Sequence, residues 1–296
     1  MPVLSDLPVL SDLNDTPISH VSDTAVWVAT FRAMETKRAD ALFQDPLAGL
    51  LVGERGPAIV KKMKTSRPTG WAVVVRTCII DDYISAAIKQ GVDTIVNMGA
   101  GLDTRPYRMD LPSTLRWIEV DYPHMMEFKD EQLKNEKPRC QLERVRLDLA
   151  DGPARRAFLE KVNSQSKQVF ALTEGVVPYL EPSQVASLAD DLRTQDHFKF
   201  WILDYFSPDL MKYMNKGSIK KQMRNAPFKF SPQDWFKFFD ERHWKVKEMR
   251  YMGEEGRRLQ RPFILPLFFR ILTHFASKKR QEQFDRMSGY AVLEPK

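Results

Sequence analysis

Four acidic side chains stand just after short apolar runs in this chain, and their types and spacing suit a nucleoside ligand that carries positive charge. The run Ile95 to Met98 leads through Gly99-Ala100-Gly101 to Asp103, and the run Trp117 to Val120 ends on Asp121 and Tyr122. Two later runs end at Leu147-Asp148-Leu149 and at Glu174-Gly175. Glycine at 99 and 101 lets the backbone turn tightly and lie against a ligand where a Cβ would collide. An acid about 20 residues beyond such a turn, at the next strand tip, can accept hydrogen bonds from ribose hydroxyls. Asp148 could accept from an adenine amine while the Leu149 backbone donates to the ring. Taken singly, each acid also suits a helix cap or a solvated surface. Four at successive strand tips or turns are harder to dismiss.

The missing third glycine bears on which nucleoside binds. A dinucleotide fingerprint has a small residue there and points a helix N-terminus at a pyrophosphate. Here the positions read Asp103-Thr104-Arg105. An acid at the mouth of the turn would repel a pyrophosphate but tolerates an ammonium and a sulfonium. S-adenosylmethionine therefore fits better than NAD, with Glu174 near its amino group.

Those acids need a parallel sheet to bring them together. Strand-like runs lie at 94–98, 116–120, 142–147, 169–173, 198–204, 244–250 and 288–294. The first five are separated by connections long enough for the crossover helices that parallel pairing requires. The last run, SGYAVLEP, alternates more and follows a long excursion, as an antiparallel addition would. The expected fold is α/β: a Rossmann-like, doubly wound, seven-stranded and mostly parallel sheet with an N-terminal helical addition and a helical excursion before the last strand. Helical spacing begins at Ser22, with Ala25, Val28, Ala29 and Ala33 on one face, breaks at Gly53, Gly56 and Pro57, and resumes from about Trp71 to Lys89. Residues 1–20 hold the hexapeptide PVLSDL twice and are expected to be a loosely held tail. Residues 21–296 then form one domain, with a helical cap over 21–92 and acceptor or lid insertions within 207–287.

At 296 residues and 43% hydrophobic content the chain can bury a full core. Two cysteines, Cys78 and Cys140, supply neither a disulfide framework nor metal-ligand spacing, which points to a reducing, cytoplasmic setting and to no metal. No run reaches the length of a membrane span and the first residues lack a basic segment followed by an apolar one, so no stable membrane insertion is expected. The net charge of +6 and pI near 9.2 invite a nucleic-acid reading. The cations are spread over several segments, however, and no nucleic-acid module signature appears. A solvated basic surface is the expectation, with Lys61, Lys62, Lys64 and Arg67 able to draw in an anionic substrate.

The ordered motifs GAGLDTRPYR, EVDYP, LDLAD and EGVVPYL, preceded by RAMETKRADALFQDPLA and VRTCIIDDYI, resemble the leucine carboxyl methyltransferase family over about residues 22 to 210. That family includes bacterial polyketide O-methyltransferases and members of unassigned substrate. The resemblance implies S-adenosylmethionine as cofactor and assigns roles. Arg76 pairs with its carboxylate, a grip that suits guanidinium, and Arg38 or its neighbour Lys37 closes over it. Gly99 belongs to the cofactor turn, Asp121 to the ribose, Asp148 and Leu149 to adenine, and Glu174 to the amino end, with Ala100, Gly101, Asp103, Tyr122 and Gly175 beside them. The segment between Tyr205 and Trp244 shows no likeness to the peptide-binding part of the phosphatase-specific branch. The expected acceptor is therefore a small molecule.

A carboxylate acceptor is ionised at pH 7 and needs no general base, whereas a hydroxyl acceptor must lose a proton. The favoured product is a methyl ester, with a phenol or polyketide hydroxyl as the alternative. His124 is the nearest candidate base and Tyr205, at the end of the fifth strand, a candidate for orienting the acceptor; either could equally be structural. The stretch Arg261 to Arg280, RPFILPLFFRILTHFASKKR, reads as a core-packing helix, an apolar lid or a basic amphipathic contact with membranes. With Met211, Met214, Met223 and Trp235 it would accommodate an apolar or aromatic acceptor. An NAD-dependent oxidoreductase and a non-catalytic cofactor or lipid binder remain as other classes, and the oligomeric state is expected to be monomer or homodimer.

Overall fold

All seven expected strands form in the computed structural model, which describes residues 21–62, 66–263 and 278–296. They are β1 (Thr94–Met98), β2 (Arg116–Asp121), β3 (Gln141–Arg146), β4 (Val169–Thr173), β5 (Phe198–Phe206), β6 (Trp244–Tyr251) and β7 (Ser288–Pro295). The tail over 1–20, Lys64 and residues 264–277 of the apolar stretch lie outside the described residues. Strand order is β3-β2-β1-β4-β5-β7-β6. β1 to β5 pair in parallel, and β7 enters antiparallel between β5 and β6. The order reverses between β1 and β4, and in such sheets the crevice outside the carboxyl strand ends at that switch point receives the ligand.

The central strands are buried on both faces, so they read as apolar runs and their side chains divide between two layers. From β1, Val96 and Met98 join the cluster containing Leu159, Val185 and Trp201, while Ile95 joins the cluster built on Ile79, Ile80 and Ile84. Two of the buried indoles are hydrogen-bonded: Trp201 Nε1 donates to Thr173 Oγ1 at 2.9 Å and Trp244 Nε1 to the Ala189 carbonyl at 3.0 Å. Their rings meet edge-on at 5.6 Å, an arrangement aromatic quadrupoles favour.

The N-terminal addition comprises α1 (Val21–Thr36), α2 (Pro46–Val52), α3 (Arg55–Lys62) and α4 (Ser66–Lys89). The last begins about five residues before the expected start. Pro68 falls in its first turn, where a missing N–H is harmless, and Gly70 is needed because a Cβ there would meet the Phe31 ring at 2.8 Å. In α1 the buried positions include Val26, Thr30, Phe31 and Arg32 as well as the expected Ala29, while Ala25, Val28 and Ala33 are half-buried. The helix packs on more than one side, so its buried face is wider than the apolar stripe.

A buried polar clasp fixes this addition to the sheet. Asp45 accepts from Arg32 Nε at 2.8 Å, from Thr104 Oγ1 at 2.6 Å and from its own helix at Ala48 N, 3.1 Å. Arg32 also donates to the Leu102 carbonyl at 2.5 Å. Burial alone would push the Asp45 carboxyl up, but Arg32 and Thr104 hold it below its ordinary value. The RAMETKRADALFQDP segment therefore clamps α1 and α2 onto the turn after β1.

The remaining helices are α5 (Arg105–Arg108), α6 (Pro123–Gln132), α7 (Gly152–Ser164), α8 (Pro182–Arg193), α9 (Pro208–Met214), α10 (Gly217–Gln222), α11 (Trp235–Asp240), α12 (Met252–Arg258) and α13 (Lys278–Asp285). Among the described residues the excursion before β7 carries α9 to α13 and β6.

Candidate active site

A cavity of about 2230 Å3 opens at the carboxyl ends of β1 to β5. Arg38, Arg76, Gly99, Ala100, Gly101, Asp103, Asp121, Tyr122, Asp148, Leu149, Glu174 and Gly175 all line it, so the sequence motifs converge on one space. Drug-sized ligands typically occupy roughly 300 to 1,000 Å3. The cavity has room for a second reactant beside a nucleoside.

The turn after β1 owes its glycines to the protein's own packing. Gly99 and Gly101 have φ of +75° and +46°, and their Cβ atoms would stand 2.3 Å from Val176 Cγ2 and 3.1 Å from Ala25 Cβ. The expectation that a ligand occupies that space is corrected at Gly99, where the Val176 side chain does. Gly99 N donates to the Val120 carbonyl at 2.8 Å, and Gly101 N donates to Asp121 Oδ2 at 2.7 Å. Tyr122 N donates to Asp121 Oδ1 at 2.7 Å. Burial pushes the Asp121 carboxyl up despite these two donors.

A chain of ion pairs crosses the floor. Arg105, 2% exposed, reaches Asp81 at 2.7 Å and both Asp103 and Glu174 at 2.8 Å. Arg76 Nε lies 2.8 Å from the other Glu174 oxygen. Asn97 Nδ2 also donates to Asp103, at 2.8 Å. Burial alone would push Asp103 up, but Arg105 and Arg32 hold it well below the usual carboxylate range. Glu174 is likewise held low by Arg105 and Arg76 against its burial. Asp103 is thus a neutralised structural acid, and the inference that its free charge repels a pyrophosphate is corrected: Arg105 compensates it.

Asp204 was missed. It lies near the end of β5, 3% exposed, lines the cavity, and accepts from Tyr290 Oη at 2.7 Å and Gly175 N at 2.9 Å. Burial pushes its carboxyl up to about 6, against the Tyr290 hydroxyl and the nearby Arg76 charge. Alternation along a strand explains the error: Asp204 and Phe206 face the cavity, whereas Tyr205 turns to the other side and packs edge-on to Trp235 at 5.5 Å. Tyr205 as an acceptor-orienting residue is therefore corrected. His124 is not among the lining residues either; it stacks on Tyr122 with ring centroids 5.7 Å apart.

Away from the strand tips the lining turns apolar, with Trp27, Phe31, Trp71, Met214, Met223 and Phe228. Met211 and Trp235, expected beside the acceptor, are core residues instead. Arg38 stands at the edge, half-exposed, with Asp40 Oδ1 at 2.9 Å. Among the described residues there is no cluster of three or more metal-ligating side chains, and no helix is long and apolar enough to cross a membrane.

Residues 25–193, more than half of the chain, match the family model described as leucine carboxyl methyltransferase. A relative from Mycobacteroides abscessus, provisionally named an S-adenosyl-L-methionine-dependent methyltransferase, is 35% identical over 190 residues, 59% of this chain and 61% of its own length. The chain thus spans about three fifths of that relative. A Frankia alni protein of the same provisional name is 30% identical over 285 residues, 87% of this chain and 94% of its own. The crystal structure of a Thermobifida fusca protein described as a methyltransferase by assignment superimposes with a TM-score of 0.54 at 11% identity, over 94% of this chain and 95% of that one. That likeness concerns the fold.

Proposed function

The chain belongs to the leucine carboxyl methyltransferase family, and on that premise we propose that it is a cytoplasmic enzyme transferring a methyl group from S-adenosylmethionine to a small, largely apolar molecule, at a carboxylate. The observation that carries this reading is the Arg76–Glu174 pair at 2.8 Å on the cavity wall. Opposite charges on adjacent side chains match an α-amino acid zwitterion, which can take the place of each partner for the other. The cofactor fits the rest of the lining on the same grounds. Asp121 has two backbone donors on its four lone-pair sites, which leaves capacity for ribose hydroxyls. Asp121 and Asp204, at the ends of β2 and β5, suit a sulfonium better than a pyrophosphate.

When bound, the cofactor supplies an electrophilic methyl group. Glu174 would hold its ammonium, Arg76 its carboxylate, Asp121 its ribose, and Asp148 with the Leu149 backbone its adenine, while Tyr122 and Arg38 flank the mouth. The apolar wall excludes water from the acceptor, and alignment is the main contribution of the protein. A carboxylate with a pKa near 4 arrives ionised. A second reading, methylation of a hydroxyl, is favoured by Asp204 alone, a buried carboxyl on the lining that could take the proton.

S-adenosylmethionine and S-adenosylhomocysteine at about 100-fold over Kd should stabilise by roughly 2.7 kcal/mol and raise the melting temperature by a few degrees, and NAD should not. Asp121→Ala should weaken S-adenosylhomocysteine at least about tenfold in calorimetry, because charge-assisted hydrogen bonds are worth roughly 1.5 to 3 kcal/mol. A shift with NAD alone would sink the reading. With an acceptor in hand, His124→Ala should keep more than about a tenth of wild-type turnover, since a lost general base removes about 100-fold or more. The product should release methanol in mild alkali. An alkali-stable product would move the enzyme to hydroxyl methylation.

A further inference from the structure

The methyl-transfer chemistry leaves the rim of the cavity's apolar end without a use. Tyr213 is 64% exposed and Met34 51%, yet both line the cavity, so large apolar groups stand in solvent at its mouth. The elements that carry this rim are amphipathic. In α9 and α10 and the turn that follows, Leu210, Met214, Ile219 and Met223 face the cavity, while Lys212, Lys216, Lys220, Lys221 and Arg224 are exposed. Between residues 208 and 224 the one acid is Asp209. In α3, Val60 lines the same cavity and Lys61 and Lys62 are exposed beside it; Arg67, exposed at the start of α4, lines it too. Val60 and Ile219 both line the cavity and pack against one apolar cluster, so both basic segments border that cavity.

Cations around exposed aromatic and aliphatic groups at the mouth of an apolar cavity match an anionic lipid surface: lysines meet the head groups and the apolar groups enter the acyl boundary. We infer that this rim docks the protein onto an anionic bilayer, from which an amphiphilic acceptor enters the cavity. The acceptor half of the inference rests on the methyl-transfer reading; the docking does not. Nucleic acid is the less fitting partner, because the rim opens on an apolar cavity rather than on a groove with stacked aromatic platforms.

Co-sedimentation of the full chain with phosphatidylcholine vesicles, plain or with roughly one-third phosphatidylglycerol, tests the docking, since each lysine near an anionic surface contributes about 1 kcal/mol. Wild type should partition onto the anionic vesicles only. Lys220→Gln with Lys221→Gln should lower that partition roughly thirtyfold, which is about 2 kcal/mol, and Tyr213→Ser several-fold, with melting temperature and S-adenosylhomocysteine affinity of the lysine variant unchanged. Equal partition onto both vesicles, none onto either, an unaffected lysine variant, or tighter binding to polyuridylate than to the anionic vesicles would each overturn the docking. Failure of S-adenosylhomocysteine to bind, with vesicle partition intact, would remove the methyl-transfer reading and leave the docking standing.

Discussion

Arg105→Leu should lower the unfolding free energy by about 3 to 5 kcal/mol, the range found when one partner of a buried ion pair is removed. The side chain is 2% exposed and contacts Asp81, Asp103 and Glu174 at 2.7 to 2.8 Å. Without it, Asp103 keeps only Asn97 and backbone donors, and Glu174 keeps only Arg76. Both acids are held low by Arg105 in the folded chain, so they stabilise the fold above their unfolded values and lose that contribution as pH falls through the lowered folded ones. Neutral-pH stability should therefore drop more in the variant than stability near pH 3, where the unfolded carboxyls are already protonated. Arg105→Lys should recover only part of the loss, because an ammonium cannot reach three carboxylates with a planar fork. Urea denaturation followed by tryptophan fluorescence measures this. A loss under about 1 kcal/mol, the scale of an exposed ion pair, would show that solvent replaces the guanidinium.

Arg105 also marks where sequence reasoning ran short. The strands were legible because strands buried on both faces appear as uninterrupted apolar runs, and every expected boundary lies within two residues of the observed one. The strand-tip acids followed from those ends, and all twelve residues expected at the cofactor line one cavity. What no local pattern carries is pairing across the fold. Arg105 finds Asp81 on α4 and Glu174 after β4, at sequence separations of 24 and 69 residues. Asp45 and Thr104 meet 59 residues apart. Side-chain parity was a different loss. In WILDYF, at the end of β5, apolar groups occupy both faces, so the run cannot say whether residue 204 or 205 faces the ligand. The single acid in that apolar stretch was the available signal, because a carboxylate there must find donors or a cavity.

The pH dependence of Asp204 follows from that same placement. Its carboxyl sits at about 6 in the folded chain, raised by burial against the Tyr290 hydroxyl and Arg76, compared with about 3.9 in an unfolded one. Below about pH 4 both states are protonated and the group is neutral to stability. Between about 4 and 6 the folded chain holds a proton that the unfolded chain has released, so stability falls as pH rises; above that window the full penalty is in force. Roughly two pH units at about 1.4 kcal/mol each amount to about 3 kcal/mol. Asp204→Asn cannot ionise. It cannot accept from both Tyr290 Oη and Gly175 N through the same two atoms, but that loss is independent of pH and only offsets the curve. The stability of the variant minus that of wild type should therefore climb by up to about 3 kcal/mol from pH 4 to pH 7, whatever its value at the acid end. Matched urea titrations across that range measure it. Parallel curves would mean that Asp204 ionises at its ordinary value, and that Tyr290, Gly175 and Arg76 together offset its burial. In that case the carboxyl is charged throughout the working range, and the hydroxyl reading loses the one group whose raised pKa made it a base near neutrality.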